Sequence, residues 1–132
     1  MREATTAAPL VWSRAFPAVP VCAREARRFL AAILNGCPAA DNVILCLSEL
    51  VTNTIVHSRS RAPGGRFLVH VYRRENVVRV EVSDQGGPWA AGPPAADGGG
   101  GRGLLIVARL ARAWGRSGDE SGWTIWFEME CW

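Results

Sequence analysis

The sequence contains no lysine, so its positive side chains are 15 arginines and its net charge is +3 over 132 residues. A phosphate-binding loop of the Walker type needs a Gly-Lys-Ser or Gly-Lys-Thr step, and the absence of lysine excludes it. The arginines are spread over predicted helices, loops and strands without aromatic residues between them, which gives little support for nucleic-acid binding. We therefore expect no direct contact with nucleic acid.

The sequence also lacks a run of about 20 apolar residues, the length that a membrane-spanning helix requires. Residues 4–13 are uncharged, but they follow Glu3 and include Pro9, which is atypical of a signal peptide. We expect a soluble, cytoplasmic protein with no membrane contact.

The cysteines show neither a Cys-x-x-Cys pair nor the Cys/His spacing of a metal site. There are four, at positions 22, 37, 46 and 131. We expect small buried thiols in a reducing compartment, although the sequence leaves a disulfide between two of them open.

Residues 10–132 are predicted to form one domain, because 132 residues with 48% hydrophobic content suffice for a single core only. Residues 1–9 are small and polar, and we expect a flexible tail. The segment 86–103 contains eight glycines and three prolines, which is too much backbone freedom for regular structure. We expect a long mobile loop there, and such loops in compact domains are usually functional lids or disordered.

Hydrophobic periodicity predicts three helices and four strands, with a further strand allowed before the last. In order, these are a strand over 10–16, helices over 21–35 and 42–58, strands over 67–73 and 77–83, a helix over 104–114 and a strand over 123–132. Asn35-Gly36 is expected to end the first helix, Asp41 to cap the second and Gly115 to end the third. A turn is expected over 117–122. This order predicts an α+β fold with helices on one face of a mainly antiparallel mixed sheet.

Three polar residues recur every four positions along the second helix: Glu49, Asn53 and His57. At about 100° per residue they fall within an arc of roughly 80°, opposite Leu50 and Val51. A carboxylate and a carboxamide one turn apart suit a site that orients a hydroxyl or a water beside a metal ion. A solvent-facing helix edge shows the same spacing, so the stripe alone leaves both interpretations open.

Two further segments carry groups that suit a nucleotide. Asp84 ends a predicted strand, where its carboxylate can accept a hydrogen bond from an exocyclic amine such as that of adenine, and Gly86 lets a ring approach the backbone. Gly101 and Gly103 precede a helix whose first N–H groups favour phosphate, and Arg102 can add a charge-assisted bond. Each piece alone is more often a turn or a connector. The three pieces in this order, with a loop of lid length between the last two, indicate a nucleotide site.

With these motifs the chain resembles the Bergerat-fold (GHKL) ATPase and kinase superfamily, which includes gyrase and histidine kinases. Within it, the chain looks like the compact anti-sigma factor serine kinases of bacteria. Residues 49–57 are similar to the family's N box, residues 82–86 to its first glycine box and residues 101–104 to its second. The resemblance spans roughly residues 10–130. It implies a two-layer α/β sandwich, with about three helices on one face of the sheet and a glycine-rich ATP lid over about 86–103.

The resemblance also implies roles for individual residues. Glu49 would be the general base or the group that orients the attacking hydroxyl, and Asn53 the Mg²⁺ ligand. Asp84 would select adenine with support from Thr124, and His57 would close the site.

The remaining implied contacts belong to the ATP lid and the phosphate cradle. They are Gly86, Gly101, Arg102, Gly103 and Leu104.

By resemblance, the cofactors are ATP and Mg²⁺, and the reaction is transfer of the ATP γ-phosphoryl group to a serine. The substrate would be an anti-anti-sigma antagonist with a STAS domain, whose unphosphorylated form competes with a sigma factor for this protein. A homodimer is also expected, because exposed arginines and a large apolar fraction invite a partner surface.

Two other functions stay open. A nucleotide-binding regulator could hold a partner without phosphorylating it, although such a module has no need of a base at Glu49. A detached catalytic domain of a histidine kinase is less well supported, because only about forty residues precede the N box. His57 lies within that box and is not expected to be a phosphoacceptor.

The sequence departs from the family pattern at two positions. Pro88 stands where the first glycine box commonly has its last glycine, which reduces backbone freedom where the lid begins. Thr54 stands where alanine is usual. Because closing a glycine-rich lid costs conformational entropy, ATP affinity is expected to be modest without a partner.

Overall fold

The computed structural model describes residues 10–57, 64–85, 100–119 and 121–132, of which His57 and residues 100–103 are described by backbone alone. The elements in chain order are β1 (Leu10–Pro17), α1 (Val21–Ile33), α2 (Ala40–His57), β2 (Arg66–Arg74), β3 (Val77–Ser83), α3 (Gly100–Leu110), β4 (Ala113–Asp119) and β5 (Gly122–Glu130). The predicted N-terminal tail and most of the predicted lid lie outside the described residues. The last predicted lid residues, 100–103, form the first turn of α3.

The five strands form one sheet in the order β1-β2-β3-β5-β4, and each neighbouring pair is antiparallel. With three helices, this confirms the predicted α+β class and a sandwich of the GHKL type. Among the described strands the sheet is wholly antiparallel rather than mixed.

Alternation along the central strands separates a buried face of the sheet from an open one. In β3, Val78, Val80 and Val82 are buried. Arg79 lies on the other face, where it forms ion pairs with Glu81 at 2.8 Å and Glu128 at 3.1 Å. We call this second face the open face, and the helices cover the first.

The helices pack on the sheet through apolar stripes. In α1, the buried residues Cys22, Ala26 and Leu30 recur every four positions, which is the helical repeat of one face. The helix α2 is more uniformly apolar, contacts α1 and α3 on its two sides, and touches β3. It is therefore the central element of the helical layer. In the part of the chain that the structure describes, no helix combines the length and the hydropathy that crossing a bilayer requires.

The end of the third helix was predicted wrongly. It ends at Leu110, and both the expected last helix residue, Trp114, and the expected stop, Gly115, lie inside β4. There Trp114 pairs with Phe127 and Gly115 with Trp126 of β5. A Cβ atom at Gly115 would lie 2.8 Å from the Trp126 ring, so this glycine admits an indole over the strand instead of ending a helix.

Other predicted boundaries shift by a few residues. The helix α2 begins at Ala40, so Asp41 is not its N-cap. It lies in the first turn, where the helix dipole stabilises a carboxylate. The helix α1 ends at Ile33, before the expected Asn35. The predicted turn over 117–122 is also too long, because β4 continues to Asp119.

A disulfide joins Cys37 and Cys131, whose Cα atoms are 4.9 Å apart. The expectation of four thiols is wrong for these two and confirmed for Cys22 and Cys46, which are free and buried. The bond ties the connection between α1 and α2 to the end of β5. The neighbouring Trp132 strengthens this tie, because its indole N–H donates to the Asn35 carbonyl oxygen at 3.1 Å.

Replacing Cys37 and Cys131 with serine is expected to lower the free energy of unfolding by about 3–5 kcal/mol. The reason is that a cross-link between residues 94 positions apart restricts the unfolded chain. Urea unfolding should give the highest midpoint for the oxidised protein, and lower, matching midpoints for the reduced protein and the double serine variant. Coincident midpoints for all three samples would contradict the prediction. Thiol titration of the denatured oxidised protein is the control, with two reactive thiols expected before reduction and four afterwards.

Candidate functional site

The polar stripe of α2 is not a solvated helix edge. Asn53 is only 5% exposed and Thr54 only 2%, while Glu49, one turn earlier, is half-buried. Leu50 and Val51 between them are fully buried. A carboxamide enclosed in this way lies among protein groups, and a ligand there would meet a preformed polar group at the border of the core.

Burial and the nearby charge of Glu49 both affect the pKa of the Cys46 thiol. Burial raises the pKa of the Cys46 thiol to about 11, and the charge of Glu49 contributes in the same direction. The thiol therefore stays protonated at neutral pH and is no nucleophile.

Asp84 follows β3 directly and is held against β5. Its backbone N–H donates to the Trp123 carbonyl oxygen at 2.8 Å, and its Oδ1 accepts from the Trp123 N–H at 3.2 Å. The next residue, Gln85, accepts at Oε1 from the Arg66 N–H at 2.9 Å. The strand end that carries the candidate adenine-selecting carboxylate is thus fixed to both neighbouring strands.

Thr124 lies beside this position but on the other face of the sheet. Its hydroxyl oxygen is 2.8 Å from that of Ser83, and the two residues are paired in the register of β3 and β5. Because the adjacent Val82 and Ile125 are buried, alternation assigns the hydroxyl pair to the open face. The role of Thr124 beside adenine stays a prediction.

The second glycine box forms the first turn of α3. Gly101 and Gly103 lie in this turn, where backbone N–H groups have no partner within the helix, and the turn contains no acidic residue. Such a turn attracts anions. Leu104, the next residue, is buried and anchors the turn to the core. The Arg102 side chain is outside what the structure describes.

The tertiary structure places most of these segments on elements that contact α2. The helix α2 packs against α3 and contacts β3, whose end carries Asp84. The predicted members Glu49, Asn53 and Asp84 therefore lie on neighbouring elements. Gly86 lies outside the described residues, and His57 ends α2 with its side chain undescribed.

Two surface cavities lie apart from the predicted site residues. One of about 380 Å³ is on the open face and is lined by Tyr72, Arg79 and their neighbours. The other, of about 530 Å³, lies between β1 and α1 and is lined by Trp12 and Phe29 among others. Neither is lined by a predicted site residue.

The donor set fits a metal ion that is shared with phosphate rather than held by protein alone. Within the described ranges, no group of three His, Cys, Asp or Glu side chains is placed to hold a metal. The Asn53 amide oxygen and the Glu49 carboxylate are hard oxygen donors. Mg²⁺ usually takes one or two such ligands and completes its shell with water and substrate phosphates.

The fold and the candidate site together define a class of ATP-binding modules. Its features are an antiparallel sheet with one helical layer, a polar stripe on the central helix, a carboxylate at a strand end and a glycine turn at a helix start. The chain belongs to the histidine kinase-like ATPase domain family, whose family model matches residues 16–129. A search of curated proteins found no match.

Sequence reasoning missed two features of the site. It did not find the Ser83–Thr124 hydroxyl pair, although a serine directly before Asp84 was a signal once the strand register is known. It also gave Trp123 no role beyond its place in the last strand, whereas its backbone N–H donates to the Asp84 carboxylate.

Proposed function

We propose that this protein is a bacterial anti-sigma factor with ATP-dependent protein-serine kinase activity. It binds Mg·ATP, phosphorylates a STAS-domain anti-anti-sigma protein and sequesters a sigma factor. The observation that carries the proposal is the pair formed by the buried Asn53 and the half-buried Glu49 one turn earlier on α2. A module that only holds nucleotide needs the amide but has no use for the carboxylate.

The proposed transfer uses these two groups in different ways. Asn53 offers its amide oxygen to Mg²⁺, which neutralises charge on the phosphates when bound. The Glu49 carboxylate accepts the proton of the substrate serine hydroxyl as the serine oxygen bonds to the γ-phosphorus and the bond to the ADP oxygen breaks. The partial exposure of Glu49 supports this role, because a protein substrate must reach it.

The nucleotide's other end is proposed to lie at Asp84, with the phosphates toward the first turn of α3. Asp84 accepts a hydrogen bond from the exocyclic amine of adenine. The N–H groups of residues 101–103 and the Arg102 guanidinium act on the phosphates. His57, Gly86, Leu104 and Thr124 keep their proposed supporting roles.

The cytoplasm is the proposed compartment, and a homodimer is the proposed assembly. Disulfides are rare in reducing cytosol, so in that compartment the bond between Cys37 and Cys131 would be a reversible one.

Affinity capture from the native cytoplasm, with and without Mg·ATP, tests the partner assignment. We expect a sigma factor and a STAS protein to be recovered, and the STAS protein to gain phosphoserine when the purified proteins are mixed with Mg·ATP. Recovery of neither protein would refute the anti-sigma assignment. Recovery of a partner that is never phosphorylated would instead favour a nucleotide-binding regulator without kinase activity.

A further inference from the structure

Trp123 carries a buried hydrogen-bond donor that has no acceptor. Its indole Nε1–H is enclosed and unpaired, the single side-chain N or O atom of this kind found in the described part of the chain. Buried indole N–H groups usually find a partner, because an unmade hydrogen bond inside a protein costs free energy. A donor kept in this state indicates an acceptor that the described residues do not supply.

The position of Trp123 suggests what that acceptor is. Two backbone contacts join the residue to Asp84, one of which uses the Asp84 carboxylate. Along β5, Trp123 shares its face with Ile125 and Phe127, both buried, so alternation turns the indole toward the helical layer. The unpaired donor and the carboxylate assigned to adenine therefore belong to two residues that are hydrogen-bonded to each other, Asp84 directly after β3 and Trp123 at the start of β5.

Arg116 holds the indole from one side. Its guanidinium lies over the Trp123 ring, 4.9 Å from the centroid. Burial lowers the pKa of Arg116, and no carboxylate lies within ion-pair distance of it among the described side chains. A partly desolvated cation without a carboxylate partner is stabilised by the aromatic face beside it, and this contact restrains the ring.

We propose that Trp123 contacts the bound nucleotide and that its indole N–H donates to a ring nitrogen of the base held at Asp84. The inference rests on the proposed placement of adenine. Adenine presents an amine donor beside a ring-nitrogen acceptor, which matches a carboxylate acceptor beside an indole donor. Guanine presents a carbonyl oxygen where adenine has the amine, so the same pair disfavours it. Because the donor is enclosed in the ligand-free chain, an entering base must displace the groups that cover it.

Isothermal titration of the full chain with Mg·ATP tests the proposal through Trp123→Phe, which keeps an aromatic ring and removes the N–H. Trp126→Phe is the matched control. Like Trp123, Trp126 lies on β5 and has an arginine over its ring, the Arg79 guanidinium at 4.0 Å from the ring centroid. Unlike Trp123, it lies on the open face. We expect Trp123→Phe to bind ATP about tenfold more weakly, the loss typical of one hydrogen bond. Trp126→Phe should bind ATP as the wild type does.

Deaza analogues of ATP, which lack one ring nitrogen each, separate a direct contact from a general disturbance of the fold. The wild type should bind either 1-deaza-ATP or 7-deaza-ATP about tenfold more weakly than ATP, and Trp123→Phe should no longer distinguish that analogue from ATP. The proposal would be overturned if Trp123→Phe bound ATP as tightly as the wild type does. It would also be overturned if the substitution weakened the binding of ATP and of every analogue by the same factor. Neither result would contradict ATP binding by the wild type. If the wild type bound no ATP, the proposed function would fail together with this proposal.

Discussion

Replacing Asn53 with alanine is expected to abolish Mg·ATP binding, with a loss of affinity of about 100-fold or more. The amide is buried near the C-terminal end of α2 at 5% exposure, so neither water nor a neighbouring side chain can easily replace its oxygen as a ligand. Titration calorimetry with Mg·ATP measures the loss. In the presence of EDTA, the variant and the wild type should bind ATP with similar low affinity, because only the metal-dependent part of binding requires the amide.

Asn42→Ala is the matched control, because Asn42 lies on the same helix but is exposed. Removing a buried amide can itself destabilise the fold by about 1–3 kcal/mol, so thermal unfolding of both variants should accompany the titrations. A folded Asn53→Ala protein that binds Mg·ATP as tightly as the wild type would refute the assignment of the site.

Replacing Glu49 with alanine is expected to preserve Mg·ATP binding and to lower the rate of phosphoryl transfer by about 10²–10⁴-fold. A positioned general base contributes acceleration of this size. Nucleotide affinity should change little, because the metal ligand Asn53 and the base contact at Asp84 remain. Single-turnover transfer of labelled phosphate to the STAS partner measures the rate, and calorimetry measures the affinity.

Glu130→Ala controls for the loss of one carboxylate, since Glu130 is exposed at the end of β5 and its ion pair with Arg112 is long, at 4.0 Å. It should retain the wild-type transfer rate. Wild-type transfer by Glu49→Ala would show that Glu49 is not the base, while leaving Asn53 and Asp84 as a nucleotide site.

The half-buried strands and helices could be predicted from the sequence because their side-chain periodicity is a local property. The alternating valines of β3 predicted its limits, 77–83, correctly. The recurrence of Glu49 and Asn53 predicted a polar stripe, and the structure shows that Asn53 is buried and Glu49 half-buried. The burial of Asn53 depends on the packing of α1 and α3 on both sides of α2. The periodicity of a single helix cannot predict this packing.

The features that the sequence left open or predicted wrongly depend on contacts between distant residues. Trp114 was predicted as the end of a helix and Gly115 as its stop, but they pair with Phe127 and Trp126 across the sheet. Ladder hydrogen bonds and aromatic packing outweigh a weak helical preference there. The disulfide between Cys37 and Cys131 likewise requires two positions 94 residues apart to meet.

The sequence by itself determined the order of most elements, the apolar faces that form the core and the choice of candidate nucleotide-binding residues, because each depends on the spacing of neighbouring side chains. Only the tertiary structure decided that Asn53 is enclosed. It alone held Asp84 against Trp123 and left the Trp123 indole N–H without a partner. These are properties of strand register and layer packing, which join segments too far apart for any local pattern to record.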